Sequence, residues 1–228
     1  MLRINQNSSA SHAKSYYPTP DYYIDGAKDQ ELPGIWRGKG AERLGLAGVI
    51  DQTAWDALCE NRDPNTDLPL TVRNKSDRTV GMDFNFHVPK TVSVLYAMTR
   101  DDRIVDALRD SVRETMNEIE TRMQTRVRRN RADENRTTGN MLWGEFIHLT
   151  SRPVGGIPDP HLHVHCFVHN ATFDDKEQRW KAGQFRELKR HAPYFEAKFH
   201  SKLAWKFKQM GVQIDRTKAG WEVSGISK

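Results

Sequence analysis

Cysteine is scarce: Cys59 and Cys166 are the only two in 228 residues, which excludes a disulfide-stapled scaffold and points to a reducing compartment, the cytoplasm. Long apolar runs are missing as well. No stretch approaches the ~20 apolar residues of a membrane-spanning helix, and the N-terminus, MLRINQNSSA, has no apolar signal core. A membrane partner is therefore not expected. Internal repeats and low-complexity tracts are absent, which argues against a solenoid. With 37% hydrophobic and 29% charged residues, the chain has the make-up of one soluble domain spanning residues 1–228.

What the chain has is positive charge in blocks. The net charge is +5, yet the stretch from Lys176 to Lys208 alone carries ten Lys/Arg against Glu177, Glu187 and Glu196. A second block, Arg122, Arg126, Arg128, Arg129, Arg131 and Arg136, faces only Asp133 and Glu134. Basic stripes of this kind suit a polyanion such as nucleic acid. The plainer alternatives are a solvated helix face and, for the second block, cations near a helix C-terminus.

The pattern of apolar residues predicts mixed elements. Leu2 to Ile4 opens a strand, Ser8 or Ser9 caps a short helix running to Tyr17, and Asp51 caps a helix containing Trp55 and Leu58. From Val80 to Val88, Val80, Met82, Phe84 and Phe86 alternate with Gly81, Asp83, Asn85 and His87, as in a half-buried strand. Asp101 starts a long helix with apolar positions from Val105 through Met123 to Val127. Strands follow at Met141–Thr150 and His161–Thr172, separated by a loop containing RPVGGIPDP. A basic amphipathic helix, Phe185–Met210, precedes two short strands at Val212–Asp215 and Trp221–Val223. The expected class is α+β, a central antiparallel sheet flanked by helices.

Five of the nine histidines fall between positions 148 and 169. In HLHVHCFVHN, strand alternation puts His161, His163, His165 and His169 on one face and Leu162, Val164, Cys166 and Val168 on the other. One face is core; the other is a row of imidazoles, two of which can share an ion. The strand with His148 can supply a third nitrogen across the intervening loop. Three imidazoles leave positions open on an ion, which can then polarise a phosphate oxygen. Alternation alone does not select among His161, His163 and His165. Four of the six tyrosines, Tyr16, Tyr17, Tyr22 and Tyr23, lie in SYYPTPDYY. They pack around a proline turn or, beside a metal site, supply a phenolate nucleophile.

Together these segments resemble the conjugative relaxases of the MobF (TrwC/TraI-like) type, within the HUH endonucleases. The resemblance is carried by the N-terminal tyrosine pairs, WRGKGAERLGLAG from Trp36, GMDFNFHVPKTVSVL from Gly81, TTGN from Thr137, HLTSR from His148 and DPHLHVH ending at His165. It implies His148, His163 and His165 as metal ligands, with His161 at a variable position. It also implies Tyr16 as the nucleophile, Tyr22 in the second tyrosine pair, and Asp83 as the acid that orients a ligand or helps deprotonate the tyrosine. DNA contacts are expected at Tyr17, Arg37, Lys39, Lys90 and Arg152. The implied activity is nicking and rejoining of single-stranded DNA through a 5′-phosphotyrosine bond. Its substrate would lie at an origin of transfer, with accessory relaxosome proteins as further partners. Mg²⁺ or Mn²⁺ is the expected ion, with Zn²⁺ or Ni²⁺ also acceptable to three imidazoles, and a monomer is expected. The family's domain ordinarily continues into a DNA-covering region and a helicase, so the chain is read either as cut short before them or as a compact relative. Rival readings are a rolling-circle initiator with the same chemistry and a cupin-like metal oxidoreductase.

Overall fold

The computed structural model describes residues 1–14, 32–72, 75, 77–129, 132–151, 158–218 and 220–227. Tyr16, Tyr17, Tyr22, Tyr23, Arg131 and Arg152 lie outside them. The chain opens with β1 (Leu2–Asn7) and α1 (Ala10–Lys14). The Ser9 hydroxyl accepts the His12 N–H at 3.2 Å, the cap that the serine pair predicts. Next come β2 (Ile35–Arg37) and α2 (Lys39–Arg43), joined at Gly38. Gly38 has φ +93°, and a Cβ there would lie 2.4 Å from the Met141 carbonyl oxygen, so only glycine fits. Asp51 caps α3 (Gln52–Cys59), accepting the Ala54 N–H at 2.8 Å. β3 (Gly81–His87), α4 (Lys90–Thr99) and α5 (Asp102–Thr121) follow, then β4 (Gln124–Arg129) and β5 (Ala132–Thr137). The remaining elements are β6 (Trp143–Thr150), β7 (Pro160–His169), β8 (Thr172–Asp174), β9 (Arg179–Lys181), α6 (Arg186–Arg190), α7 (Ala192–Gln209), β10 (Ile214–Thr217) and β11 (Gly220–Val223).

Five strands form one antiparallel sheet in the order β1-β3-β7-β6-β2. Its first face carries Met82, Phe84 and Phe86 with Leu162, Val164, Cys166 and Val168. These pack under Leu108, Val112 and Met116 of α5 and under Phe195, Phe199 and Leu203 of α7. Each fully buried phenylalanine contributes roughly 1.5–3 kcal/mol by burial alone. Part of the second face is closed by a smaller cluster, Trp36, Ile50, Trp55, Phe146 and Phe167. The rest of that face carries the histidines. The expected α+β architecture is the one observed.

Several boundaries differ from the sequence reading. The long helix ends at Thr121, and Met123 and Val127 belong to the turn and hairpin beyond it. Spacing of four residues from Ile119 to Val127 mimics a helix, but Arg126 and Arg128 are exposed around buried Thr125 and Val127, which is strand alternation. Of the second arginine block, Arg126, Arg128, Arg129 and Arg136 therefore sit on a two-stranded ribbon, while Arg122 caps the C-terminus of the long helix. The basic helix is broken between α6 and α7, where Pro193 starts a new helix without needing an N–H partner. The strand expected to reach Thr172 stops at His169; Thr172 belongs to the β8–β9 hairpin. The last two strands pair from Ile214 to Thr217 and from Gly220 to Val223.

His169 shares the second face with the other odd-numbered histidines but not their surroundings. It is caged by Trp55 at 4.8 Å, Phe167 at 5.3 Å and Trp36 at 6.0 Å between ring centres. Neither ring nitrogen has a hydrogen-bond partner among the described residues. Burial, aided by the Arg78 charge, pulls its pKa down from 6.5 to about 3. In that interval the unfolded chain takes up a proton that the folded chain refuses, so stability falls as pH drops below about 6.5 towards 3. His169→Leu, which fills similar volume without polar atoms, is expected to leave the urea midpoint at pH 7.5 unchanged or higher. It should also flatten the acid decline between pH 6.5 and 4.5. A decline as steep as in the parent chain would show that other groups govern acid sensitivity.

Candidate metal centre

The register of the sheet assembles the site. His148 on β6 lies directly opposite His163 on β7, and His163 lies opposite His87 on β3. His165, two residues on, faces Asn85. Ring centres are 5.2 Å apart for His148–His163, 5.1 Å for His148–His165 and 5.0 Å for His163–His165. An ion about 2.1 Å from each ring nitrogen stands about 3.2 Å from each ring centre, so these spacings subtend about 105°, near the tetrahedral value. His87, His161 and His163 are similarly spaced, at 5.0, 5.5 and 4.6 Å, so ring spacing admits either trio and the family pattern selects the first. Among the described residues, however, no three His, Cys, Asp or Glu side chains have their donor atoms already gathered on one point. Small ring rotations would be needed to converge them.

Two of the three rings are oriented by groups behind them. His165 Nδ1 donates to Asp83 Oδ2 at 2.8 Å, and Asp83 is buried on β3. A carboxylate only accepts, so the proton is on Nδ1 and the lone pair on Nε2. His163 Nδ1 donates to the His161 carbonyl at 2.7 Å, which fixes the same tautomer. Burial pulls the His163 pKa down to about 2, against the pull of that hydrogen bond, so its ring is neutral and able to offer a lone pair. His161 lies beside the trio, with its Nε2 2.9 Å from His87 Nδ1. Strand alternation had put His87 on the polar side of β3 but gave it no role; only the β3–β7 register brings it to His161.

Other residues singled out from sequence divide sharply. Lys90, at the start of α4, donates to the Pro160 carbonyl at 2.9 Å and so stands at the histidine end of the sheet. Arg37 does not. It lies on the helix-covered face, with Nε 3.6 Å from Oε2 of buried Glu145, whose other oxygen is 3.5 Å from Arg109 Nε. Burial raises the Glu145 pKa while the two guanidiniums oppose that rise. Arg37 pairs with Trp143, five residues along β6 from His148, a separation of about 17 Å at strand rise. Lys39 is exposed at the same far end, its backbone N–H donated to Glu120 Oε1 at 2.8 Å.

The basic stretch on α7 also changes character. Lys202 and Lys206 pair with Glu114 of α5 at 2.6 and 2.9 Å, and Lys198 pairs with Glu118 at 3.0 Å. On β9, Arg179 and Lys181 pair with Glu177. Local counting showed excess charge because the neutralising acids come from a helix some 90 residues earlier. On the β4–β5 ribbon Arg126 and Arg128 stay exposed, with only Asp133 near Arg126 at 3.9 Å.

The antiparallel sheet of this α+β domain thus sets imidazoles, a carboxylate bonded to one of them and a lysine at one end. The chain belongs to the TrwC relaxase family, whose sequence profile matches residues 6–228. It is 30% identical over 237 residues to the multifunctional conjugation protein TraI of Escherichia coli (strain K12), covering 99% of this chain and 13% of TraI. The chain therefore spans about an eighth of that relative. Its fold superposes on the metal-bound conjugative relaxase TrwC in complex with oriT DNA with a TM-score of 0.88, at 30% identity, over 100% of this chain and 77% of that one. The copper-bound TrwC–oriT complex gives a TM-score of 0.88 at 29% identity over 100% and 77% of the two chains.

Proposed function

We propose that this domain is a site- and strand-specific single-stranded DNA endonuclease and strand transferase, a relaxase that initiates conjugative transfer in the cytoplasm. The observation that carries it is the His148–His163–His165 trio with Asp83 bonded to His165, set in a chain matched to the family over residues 6–228. In this reading His148, His163 and His165 hold a divalent ion, which supplies Lewis-acid polarisation of a phosphate oxygen. The three nitrogens suit Mn²⁺, Zn²⁺, Ni²⁺ or Cu²⁺, and Mg²⁺ or Mn²⁺ is the ion proposed for the cell. Asp83 keeps His165 in its ligating tautomer. The Tyr16 oxygen attacks the scissile phosphorus and loses its proton; the P–O3′ bond breaks and the 3′-hydroxyl leaves protonated. A 5′-phosphotyrosine bond remains, which another 3′-hydroxyl can reverse. Lys90 offers a cation to the backbone at the histidine end. The DNA is proposed to be the nic region of an origin of transfer, with accessory relaxosome proteins as further partners.

Incubation with a pool of single-stranded oligonucleotides and Mn²⁺ should give a covalent protein–DNA adduct that survives a denaturing gel. No adduct with any strand would sink the reading. The charge map adds a second expectation. Binding should weaken with salt, each neutralised phosphate contributing a log–log slope of roughly −0.7 on single strands and −0.9 on duplex. Arg126→Ala with Arg128→Ala should lower the slope by about 1.4–1.8, while Lys202→Ala with Lys206→Ala should barely move it, because Glu114 and Asp110 together offset those two lysines. The reverse ranking would put the polyanion on α7.

A further inference from the structure

We infer that Asn85 is a fourth protein ligand of the metal centre, supplying its side-chain oxygen to a hard divalent ion. The inference rests on the three-histidine reading and extends it. Asn85 sits on β3 between Asp83 and His87, on the histidine face and directly opposite His165. Its Nδ2 is 3.3 Å from His165 Nε2, the nitrogen that carries the lone pair when Nδ1–H is donated to Asp83. Its Oδ1 is buried and has no hydrogen-bond partner among the described residues.

The unpartnered oxygen does not itself decide the matter, since either amide atom left in that place lacks a partner; it is the 3.3 Å contact with His165 Nε2 that carries the inference. A half-turn about Cβ–Cγ exchanges the amide oxygen and nitrogen. An oxygen then stands about 3.3 Å from His165 Nε2. Two ligand atoms each about 2.1 Å from one ion are about 3.0 Å apart at 90° and 3.3 Å at 105°. The amide is therefore already at ligand–ligand distance from the nitrogen it faces. Without an ion the oxygen would oppose the His165 lone pair, which explains why the nitrogen faces the ring; with an ion both lone pairs find the same partner. The turn leaves Nδ2 where Oδ1 has no partner, a cost that a coordinate bond to a divalent ion outweighs. Three imidazoles alone favour borderline metals, whereas an added carbonyl oxygen shifts preference towards Mn²⁺ and Mg²⁺.

The test is calorimetric titration of Mn²⁺ and of Ni²⁺ into the parent chain and into Asn85→Leu, Asn85→Asp and His165→Ala. Leucine keeps the volume and removes the oxygen; aspartate presents oxygen in either orientation. Asn85→Leu should weaken Mn²⁺ binding about tenfold and Ni²⁺ binding less than about threefold, while Asn85→Asp keeps or tightens Mn²⁺ binding. Tighter or unchanged Mn²⁺ binding in Asn85→Leu would overturn the inference, since it would mean that the amide only competes for the His165 lone pair. If the leucine variant does not fold, loss of Mn²⁺ binding in the folded aspartate variant overturns it equally, and retention supports it. Intact Mn²⁺ binding in His165→Ala would instead strike at the three-histidine reading itself.

Discussion

A Tyr16→Phe chain is expected to bind its single strand as tightly as the parent and to form no covalent adduct with it. Phenylalanine keeps the ring and deletes the one atom that attacks, so packing and base stacking are spared while the chemistry is not. Ionising a phenol of pKa ~10 at pH 7 costs about 4 kcal/mol, which is why the nucleophile must work beside a metal site or a base that lowers that cost. Removing a nucleophile outright ordinarily lowers turnover by several orders of magnitude, roughly 10⁴ or more. Tyr22→Phe should still give an adduct, because a second transfer, if Tyr22 performs one, follows the first. Tyr16 and Tyr22 lie outside the described residues, so the assignment rests on the family pattern and on mass spectrometry of a trapped adduct. The nucleotide should appear on the peptide containing Tyr16; finding it on Tyr22 or Tyr23 would overturn the choice.

What could be read from sequence was whatever depends on local spacing. Alternation in HLHVHCFVHN gave the strand, its core face and its imidazole face, and one loop between two strands was enough to bring His148 opposite His163. Contacts between distant segments were not legible in this way. Asp83 meets His165 only because β3 pairs with β7 in one register, and the residue types alone do not reveal that register; the family pattern pointed to Asp83 where spacing could not. The same register makes His87 a partner of His161 and sets Asn85 against His165, and neither was anticipated. Arg37 shows the same dependence on register. A basic residue in a glycine-rich segment suggests phosphate, and the β2–β6 register sets it on the helix-covered face beside the buried carboxylate of Glu145. The lysines of α7 misled for a similar reason, since Glu114 and Glu118 on α5 are invisible to a window that counts only neighbours in sequence.

His163→Ala should abolish Mn²⁺ binding, and His161→Ala should leave it within about threefold, although both rings lie on one face of one strand. His163 is central: its ring stands 5.2 Å from His148 and 5.0 Å from His165, so removing it takes away a nitrogen that the other two cannot replace. His161 touches the site in a different way. Its ring is engaged by His87 and stacks on His163 at 4.6 Å, but the hydrogen bond it gives His163 comes from its backbone carbonyl, which accepts the Nδ1 proton at 2.7 Å. Alanine keeps that carbonyl, so the tautomer and orientation of His163 survive the substitution. Asp83→Asn probes the equivalent support for His165 through a side chain and cannot be spared so easily. An amide at that position can donate as well as accept and no longer fixes the Nδ1 proton, and a loss of about 10- to 100-fold in Mn²⁺ affinity is expected. Titration of Mn²⁺ into the three variants checks the order His163→Ala, then Asp83→Asn, then His161→Ala. If His161→Ala abolishes binding while His163→Ala retains it, the ion sits at the His87–His161 pair instead, and the ligand assignment is wrong.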